Sequence, residues 1–330
     1  MPRLRNCLIM LLLITFILSS CAHDELTDSR GSIVGGGIAV YKYNNNIYYV
    51  SAQRVDEYEY EDHKICMYDG DKTTTVAEPD GAVSSLFAND DMFYYACSDG
   101  SGHAIISKEL STNEISELFY VDGGSYSGDE CIYTENNRDI YFFSRTHGLW
   151  RYAGGSAEKI LDAVACTFAK NHIYYSNDEG LFRADLKGNH EKLLISIEDI
   201  FEENPDSRIL RVLGDGRIYN ITYYKGEIYF LVADIISPMT NGGIFKLNRE
   251  DNRVVPVLDS NKYVCNRFYI ENDTIYFSGY SRTIEEDGLF KSDFDGNAER
   301  VADLHKFFYA NDGVYFYETD LSDFKMIEDI

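Results

Sequence analysis

The sequence predicts an all-β fold, a seven-bladed β-propeller of four-stranded antiparallel blades, and three observations carry that prediction. A hydrophobic residue, a tyrosine and a second aromatic recur seven times along the chain. A tight polar turn stands before each copy, and no stretch holds a sustained helical period. Six and eight blades are the alternatives to seven.

The repeat centres on Tyr48, Tyr94, Tyr141, Tyr174, Tyr229, Tyr276 and Tyr315, which are 46, 47, 33, 55, 47 and 39 residues apart. Spacings near about 40–50 residues are those of propeller blades. Turns such as Asn45-Asn46, Asn89-Asp90-Asp91, Lys225-Gly226 and Asn272-Asp273 precede the aromatic strand, because Asn, Asp and Gly tolerate the positive φ that hairpin turns demand. After a variable loop a third strand is legible as Gly148-Leu149-Trp150-Arg151, Gly180-Leu181-Phe182-Arg183, Gly243-Ile244-Phe245-Lys246 and Gly288-Leu289-Phe290-Lys291. A second turn, Lys187-Gly188 or Asp295-Gly296, leads to a fourth strand such as Lys192-Leu193-Leu194-Ile195. Four strands joined in this way form a blade, and blades stacked around an axis bury their aromatic faces on one another. The last repeat supplies three strands, near 306–310, 314–318 and 324–327. An open blade leaves unpaired strand edges, so the segment 32–36 is expected to pair with 324–327 and close the ring with an N-terminal strand.

Ahead of the repeats, Arg3 and Arg5 precede an apolar run from Cys7 to Leu18 that ends in Leu18-Ser19-Ser20-Cys21. A charged start, a short apolar stretch and a small-residue cleavage site make a signal peptide over 1–20. The run is too short to span a bilayer, which takes about 20 apolar residues. Residues 21–31 then read as a modified cysteine and a polar tether, and 32–330 as the propeller.

Removing 1–20 leaves 28 basic against 55 acidic residues, a net charge of −27. Nucleic acid and anionic headgroups repel such a body, which excludes them as partner surfaces. Aromatic residues make up 14% and hydrophobic residues 45%, enough for a large core. Five cysteines remain beyond Cys7 and Cys21: Cys66, Cys97, Cys131, Cys166 and Cys265. An odd, widely spaced set is not a disulfide framework, and Cys131 with Cys166, on first strands of neighbouring repeats, is the one pair to check.

Leu-Ser-Ser-Cys resembles the lipobox of bacterial lipoproteins, which implies that Cys21 carries a diacylglycerol and palmitate-type acyl chains. Tyr174-Tyr175-Ser176-Asn177 followed by Gly180-Leu181-Phe182-Arg183-Ala184-Asp185-Leu186-Lys187-Gly188-Asn189 resembles the YWTD repeat of low-density-lipoprotein-receptor-type propellers, and Phe290-Lys291-Ser292-Asp293-Phe294-Asp295-Gly296-Asn297 repeats the second half of that pattern. The chain is similar over about 32–330 to bacterial lipoproteins carrying a propeller of that kind. It departs from the receptor pattern: Tyr or Phe replaces the Trp, the Asp is mostly absent, and seven repeats are counted where six are usual. The resemblance implies an extracytoplasmic, lipid-anchored protein at the cell membrane.

Other motifs weigh little. Ser176-Asn177-Asp178-Glu179-Gly180 looks like the start of a sialidase Asp box, but its aromatic comes one residue early and its loop joins second and third strands; it reads as an ordinary connection. Asp293, Asp295 and Gly296 lack the order of a calcium loop and read as a hairpin turn. His63, His103 and His147 stand at equivalent places in three blades. Third strands lie two spacings of about 4.8 Å outside the innermost strands, which puts equivalent positions roughly 15 Å apart. One ion needs ligands about 2 Å away, so these are read as three surface histidines and no metal or cofactor is expected. No catalytic residue is assigned: the common hydrolase motifs are missing, and a carboxylate pair cannot be chosen among 55 acids.

The first-to-second and third-to-fourth turns share one end of the barrel and are tight. The other end carries segments 53–62, 121–130, 197–216, 234–242 and 279–287, read as long loops, and long loops on a rigid scaffold are where binding resides. Glu57, Tyr58, Glu59 and Tyr60 in blade 1, with Tyr280 and Arg282 in blade 6, are the candidate binding residues. Tyrosine offers contact area at little entropic cost, and acids steer a cationic partner. The competing reading is that these acids only keep the molecule soluble. The expected function is therefore a non-catalytic, membrane-anchored binding module for a protein, peptide or glycan. Its alternatives are a glycan-active or other hydrolase with carboxylates at the channel mouth, and a structural assembly platform of the cell envelope.

Overall fold

The computed structural model describes residues 40–326 except 45, 55–59, 90, 124–129, 135–137, 170, 208–215, 235–241, 249–250, 303–306, 311–312 and 318–323. Blade 1 holds β1 (Val40–Tyr43), β2 (Asn46–Arg54), β3 (Tyr60–Tyr68) and β4 (Thr73–Ala77). Blade 2 holds β5 (Ala82–Asn89), β6 (Met92–Ser98), β7 (Gly102–Glu109) and β8 (Ile115–Asp122); blade 3 holds β9 (Cys131–Tyr133), β10 (Ile140–Ser144), β11 (Gly148–Ala153) and β12 (Ser156–Leu161). Blade 4 holds β13 (Ala165–Ala169), β14 (His172–Ser176), β15 (Gly180–Asp185) and β16 (Lys192–Ser196), followed by the helix α1 (Ile197–Glu203). Blade 5 holds β17 (Gly216–Tyr224), β18 (Glu227–Asp234), β19 (Gly242–Leu247) and β20 (Val254–Pro256); blade 6 holds β21 (Tyr263–Glu271), β22 (Thr274–Ser281), β23 (Glu286–Ser292) and β24 (Ala298–Ala302). A further sheet of β25 (Phe307–Ala310), β26 (Gly313–Tyr317) and β27 (Phe324–Met326) follows.

Each sheet is antiparallel, with its strands neighbouring in chain order. Six sheets, not seven, have four strands, and the seventh repeat forms a three-stranded sheet among the described residues. The described structure thus has six four-stranded blades where seven were expected, and the segment expected to close the ring, 32–36, lies outside the described residues. Strands β1 and β25 lie against each other, which brings the first and last sheets together.

The repeat is the core. Ile47, Tyr48 and Tyr49 are buried, as are their counterparts at Phe93, Ile140, Ile173 and Ile228 and the two residues after each. Rings then join blades. Tyr41 meets Phe87 at 5.0 Å, Tyr48 meets Phe93 at 4.9 Å, Tyr133 stacks on Phe168 at 4.3 Å and Tyr174 stacks on Tyr223 at 5.4 Å. Such pairs contribute about 0.5–1.5 kcal/mol each beyond the area they bury. Polar bonds cross the same seams: Ile132 N donates to Ser85 Oγ at 3.0 Å, Ser176 Oγ to Ile218 O at 2.7 Å and Phe268 N to Asn220 Oδ1 at 2.7 Å.

The tight turns follow their residue chemistry. Lys225 and Gly226 have φ of 48° and 89°, and Asn272 and Asp273 have 47° and 61°, the left-handed pair of a two-residue hairpin turn. The glycine that opens the third strand has a different cause. A Cβ on Gly180 would stand 2.2 Å from the carbonyl oxygen of Ile195 on the neighbouring fourth strand, so only hydrogen fits.

Two features depart from the sequence reading. Strand extends into segments 53–62 and 279–287 from both sides, through β2 and β3 in the first, whose residues 55–59 lie outside the described ones, and through β22 and β23 in the second. A helix, α1, follows β16, and its seven residues are too few to register as a period. It starts with a reciprocal cap in which Asp199 N donates to Ser196 Oγ at 3.0 Å and Ser196 N donates to Asp199 Oδ2 at 3.4 Å.

Candidate functional site

At the end of the barrel opposite the tight turns, a polar pocket of about 380 Å³ opens between blades 3, 4 and 5. Two short turns and a strand start build it. The turn 144–148 is tied by His147 N donating to Ser144 O at 3.1 Å and by a 3.0 Å bond between Ser144 Oγ and Thr146 Oγ1. The turn 177–180 is an Asx turn, with Asn177 Oδ1 accepting from Glu179 N at 2.8 Å and from Gly180 N at 3.3 Å. This is the stretch with the Asp-box look, and it joins second and third strands as read from sequence. The third wall is Arg217, at the start of β17.

The cations of the pocket are held across blades. Arg145, on the blade 3 turn, places its guanidinium 4.9 Å from the ring centroid of Tyr219 on the innermost strand of blade 5. Arg217 of blade 5 pairs at 2.8 Å with Asp178 of blade 4. Lys159 pairs with Asp162. Three cations thus face Asp162, Asp178 and Glu179 in a chain whose net charge is −25, a locally balanced patch on an acidic molecule. Asp178 and Asp162 are 70% and 90% exposed in their side chains and each is ion-paired. A general acid needs a desolvated carboxyl whose proton is retained, so these two acids suit recognition better than proton transfer.

A larger groove of about 620 Å³ runs along blade 6 by Tyr276, Lys291 and Glu299. These residues alternate with Ile275, Phe277 and Phe290, which pack into the core shared with blade 5. The groove is therefore the blade face turned away from blade 5, beside the seventh sheet, and not an opening at the loop end.

The histidines require a correction. His103 is fully buried, and its ring lies 5.6 Å from that of His147, edge to face. Two of the three are thus neighbours, not surface residues about 15 Å apart. Equal offsets along the repeat do not give equal register: His103 is the second residue of β7, whereas His147 lies in the turn before β11 and reaches over the adjoining blade. His63 lies within β3 and is half-buried. Among the described residues no group of three or more His, Cys, Asp and Glu side chains is set to hold a metal ion.

Of the other candidate residues, Glu57, Tyr58 and Glu59 and the lipidation residue Cys21 lie outside the described residues. Tyr60 opens β3, paired with Arg54. Tyr280 is half-buried and packs against the core around blades 4 and 5, and Arg282 N donates to Lys262 O at 2.7 Å just beyond β22. Neither lines the pocket. The sequence reading missed Arg145, Arg217 and Tyr219; the available signal was an arginine close to the glycine that opens a strand, three residues before Gly148 at Arg145 and next to Gly216 at Arg217, in a chain poor in bases. The cysteines at 66, 97, 131, 166 and 265 are free thiols. Burial pushes Cys97 up to about 11 and Cys131 up to about 12, and raises Cys166 well above the ordinary thiol range, with its neighbour Cys131 adding to the effect. Among the described residues no helix is long and apolar enough to cross a membrane.

No family model and no curated protein matches the chain. Solved structures resemble it in fold. A prolyl endopeptidase is 9% identical with a TM-score of 0.53, matching 92% of this chain and 47% of its own. The GH74 xyloglucanase of Xanthomonas campestris is 13% identical with a TM-score of 0.55, over 84% of this chain and 46% of its own. The acylaminoacyl peptidase of Pyrococcus horikoshii is 11% identical with a TM-score of 0.51, over 93% and 53%. The chain spans about half the length of these proteins, and at such identity the likeness is one of propeller architecture.

Proposed function

We propose that this chain is a lipid-anchored, extracytoplasmic binding module that captures a protein, peptide or glycan at the loop-rich end of its propeller, without catalysis. The observation that carries the reading is the pocket itself. Arg145 over Tyr219 and Arg217 beside Asp178 present fixed cationic hydrogen-bond donors next to an aromatic ring, where blades 3, 4 and 5 converge on an opening. Guanidinium groups recognise carboxylates in pairs of parallel bonds, so the ligand carries a carboxylate or a comparable anion. The anchor rests on the lipobox-like Leu18-Ser19-Ser20-Cys21, and the YWTD-like lipoprotein resemblance supports the same placement.

Capture of envelope partners and of a glycan panel by the full chain tests the reading: Arg145→Ala with Arg217→Ala should lower capture severalfold at unchanged thermal stability. Equal capture by the double variant moves the site elsewhere on the ring. Cys21→Ser should abolish labelling by a fatty-acid analogue, and retained labelling refutes the anchor. A second reading, a hydrolase, draws on neighbours that are a peptidase and a xyloglucanase. Turnover of a peptide or glycan bound in the pocket, lost with Asp178→Asn or Glu179→Gln, would establish it instead.

A further inference from the structure

We propose that His103 and His147 form a proton-operated latch between blades 2 and 3, which sets the position of Arg145 in the pocket. His103 is fully buried on β7, and neither of its ring nitrogens has a hydrogen-bond partner among the described residues; the same holds for Nε2 of His147. A neutral imidazole always carries one N–H, and burying that donor unsatisfied is unfavourable. The ring is held instead by packing, 5.5 Å from Phe142 and 5.6 Å from His147.

The groups facing His103 come from three elements. His147 lies on the turn 144–148, the buried carboxyl of Glu130 stands just before β9, and Asp99 lies in the turn between β6 and β7. Their effects oppose. Burial holds the His103 proton affinity below the ordinary histidine range, Glu130 and Asp99 pull it up, and His147 pushes it down. A proton on either ring turns an apolar ring contact into a charge that packing cannot satisfy and that Glu130 can.

The consequence reaches the pocket through three residues of chain. His147 and Arg145 share the turn 144–148, which is also pinned by Trp150 Nε1 donating to His147 O at 3.2 Å. If the His147 ring parts from His103, the turn loses its seat on blade 2, and the Arg145 guanidinium loses its register over Tyr219. The latch stands on these contacts alone; its effect on ligand rests on the pocket reading above.

The sign follows from the direction of the shift. Because the folded protein holds His103 less basic than the unfolded chain does, the latch is fully closed above the ordinary histidine value of about 6.5 and opens as pH falls below it. The test is a pH titration of the histidine ring signals by NMR on the full chain, with amide exchange of residues 144–148 corrected for intrinsic rates. His103 should take its proton below the ordinary histidine value of about 6.5. Protection of the turn should fall about tenfold for each pH unit below the onset. His103→Phe and His147→Gln should each flatten that fall, and the second variant serves if the first does not fold.

Titration of His103 at or above about 6.5, pH-independent protection of the turn, or a joint shift of both rings on adding zinc ion at neutral pH would each overturn the latch. The measurement contains no ligand, so a failed pocket and a failed latch give separate results.

Discussion

The two ends of the barrel treat their polar side chains differently. At the tight-turn end, the carboxylates of three third-to-fourth turns are consumed by their own turns, and Asp273 is held across blades, by Lys225. Asp69 Oδ1 accepts from Asp71 N and Lys72 N, Asp185 Oδ1 from Lys187 N and Asn189 N, and Asp293 Oδ1 from Asp295 N and Asn297 N. At the loop end, Asp99 is held in the same way by Ser101 and Gly102, but Asp178 is held by an arginine of another blade and His103 rests against His147 of another blade. A polar group satisfied within its own hairpin reports on local folding. One satisfied, or left unsatisfied, across blades reports on how blades sit together, and that is where a ligand or a proton can act.

The largest expected effect lies beneath both ends. Phe168→Ala removes the ring stacked on Tyr133 and should cost about 3–5 kcal/mol, lowering the melting temperature and loosening both ends alike. Amide exchange that rises at one end only would break the idea of a shared core. A smaller effect separates the ends. Gly180→Ala forces a Cβ to within 2.2 Å of Ile195 O and should cost about 1–3 kcal/mol. Gly154→Ala at the tight-turn end, with φ of 60° and open space around it, should cost about 1 kcal/mol. Denaturant midpoints that reverse this order would refute the steric argument.

Acid unfolding sharpens the comparison further. Backbone N–H donors hold the carboxyls of Asp69, Asp185 and Asp293 below the usual carboxylate range, led in Asp293 by the Asn297 side chain. Their contribution is complete above the unfolded value of about 3.9 and is lost as pH falls through the folded values. Asp185→Asn with Asp293→Asn should therefore lower the melting temperature modestly at pH 7 and flatten its fall below pH ~4, where wild type and variant converge. An unchanged acid slope would show that the turns do not depend on charge. The smallest effect concerns the thiols: because burial raises Cys131 and Cys166, a thiol reagent at pH ~8 should leave both unmodified in the native chain and label them on unfolding.

Much of the fold was legible because a blade is a local object. Each Ile-Tyr-aromatic core and its Asn, Asp or Gly turn lie within a few residues, so Tyr48, Tyr94 and their counterparts announced second strands that the structure places where expected. The site was less legible. Arg145 and Tyr219 are 74 residues apart in number and meet only because blades 3 and 5 flank the same opening, and Tyr280, chosen as an exposed contact, turns its ring toward a core formed by other blades.

By itself the sequence determined the repeat, its turns and the acidity of the body, since these follow from residue chemistry over short spans. The tertiary structure alone decided the register. Between third and fourth strands the pairing slips at Ile65/Cys66, Ile105/Ile106, Leu149/Trp150, Leu181/Phe182 and Leu289/Phe290, passing over Val76, Leu118, Ile160, Leu194 and Val301. An extra residue in a strand breaks the alternation of faces, so the sequence shows only an apolar pair. Whether both members face the core depends on the neighbouring blade. The histidine pair obeys the same rule: a shift of a few residues between β7 and the turn before β11 brought together two rings that equal spacing would have kept apart.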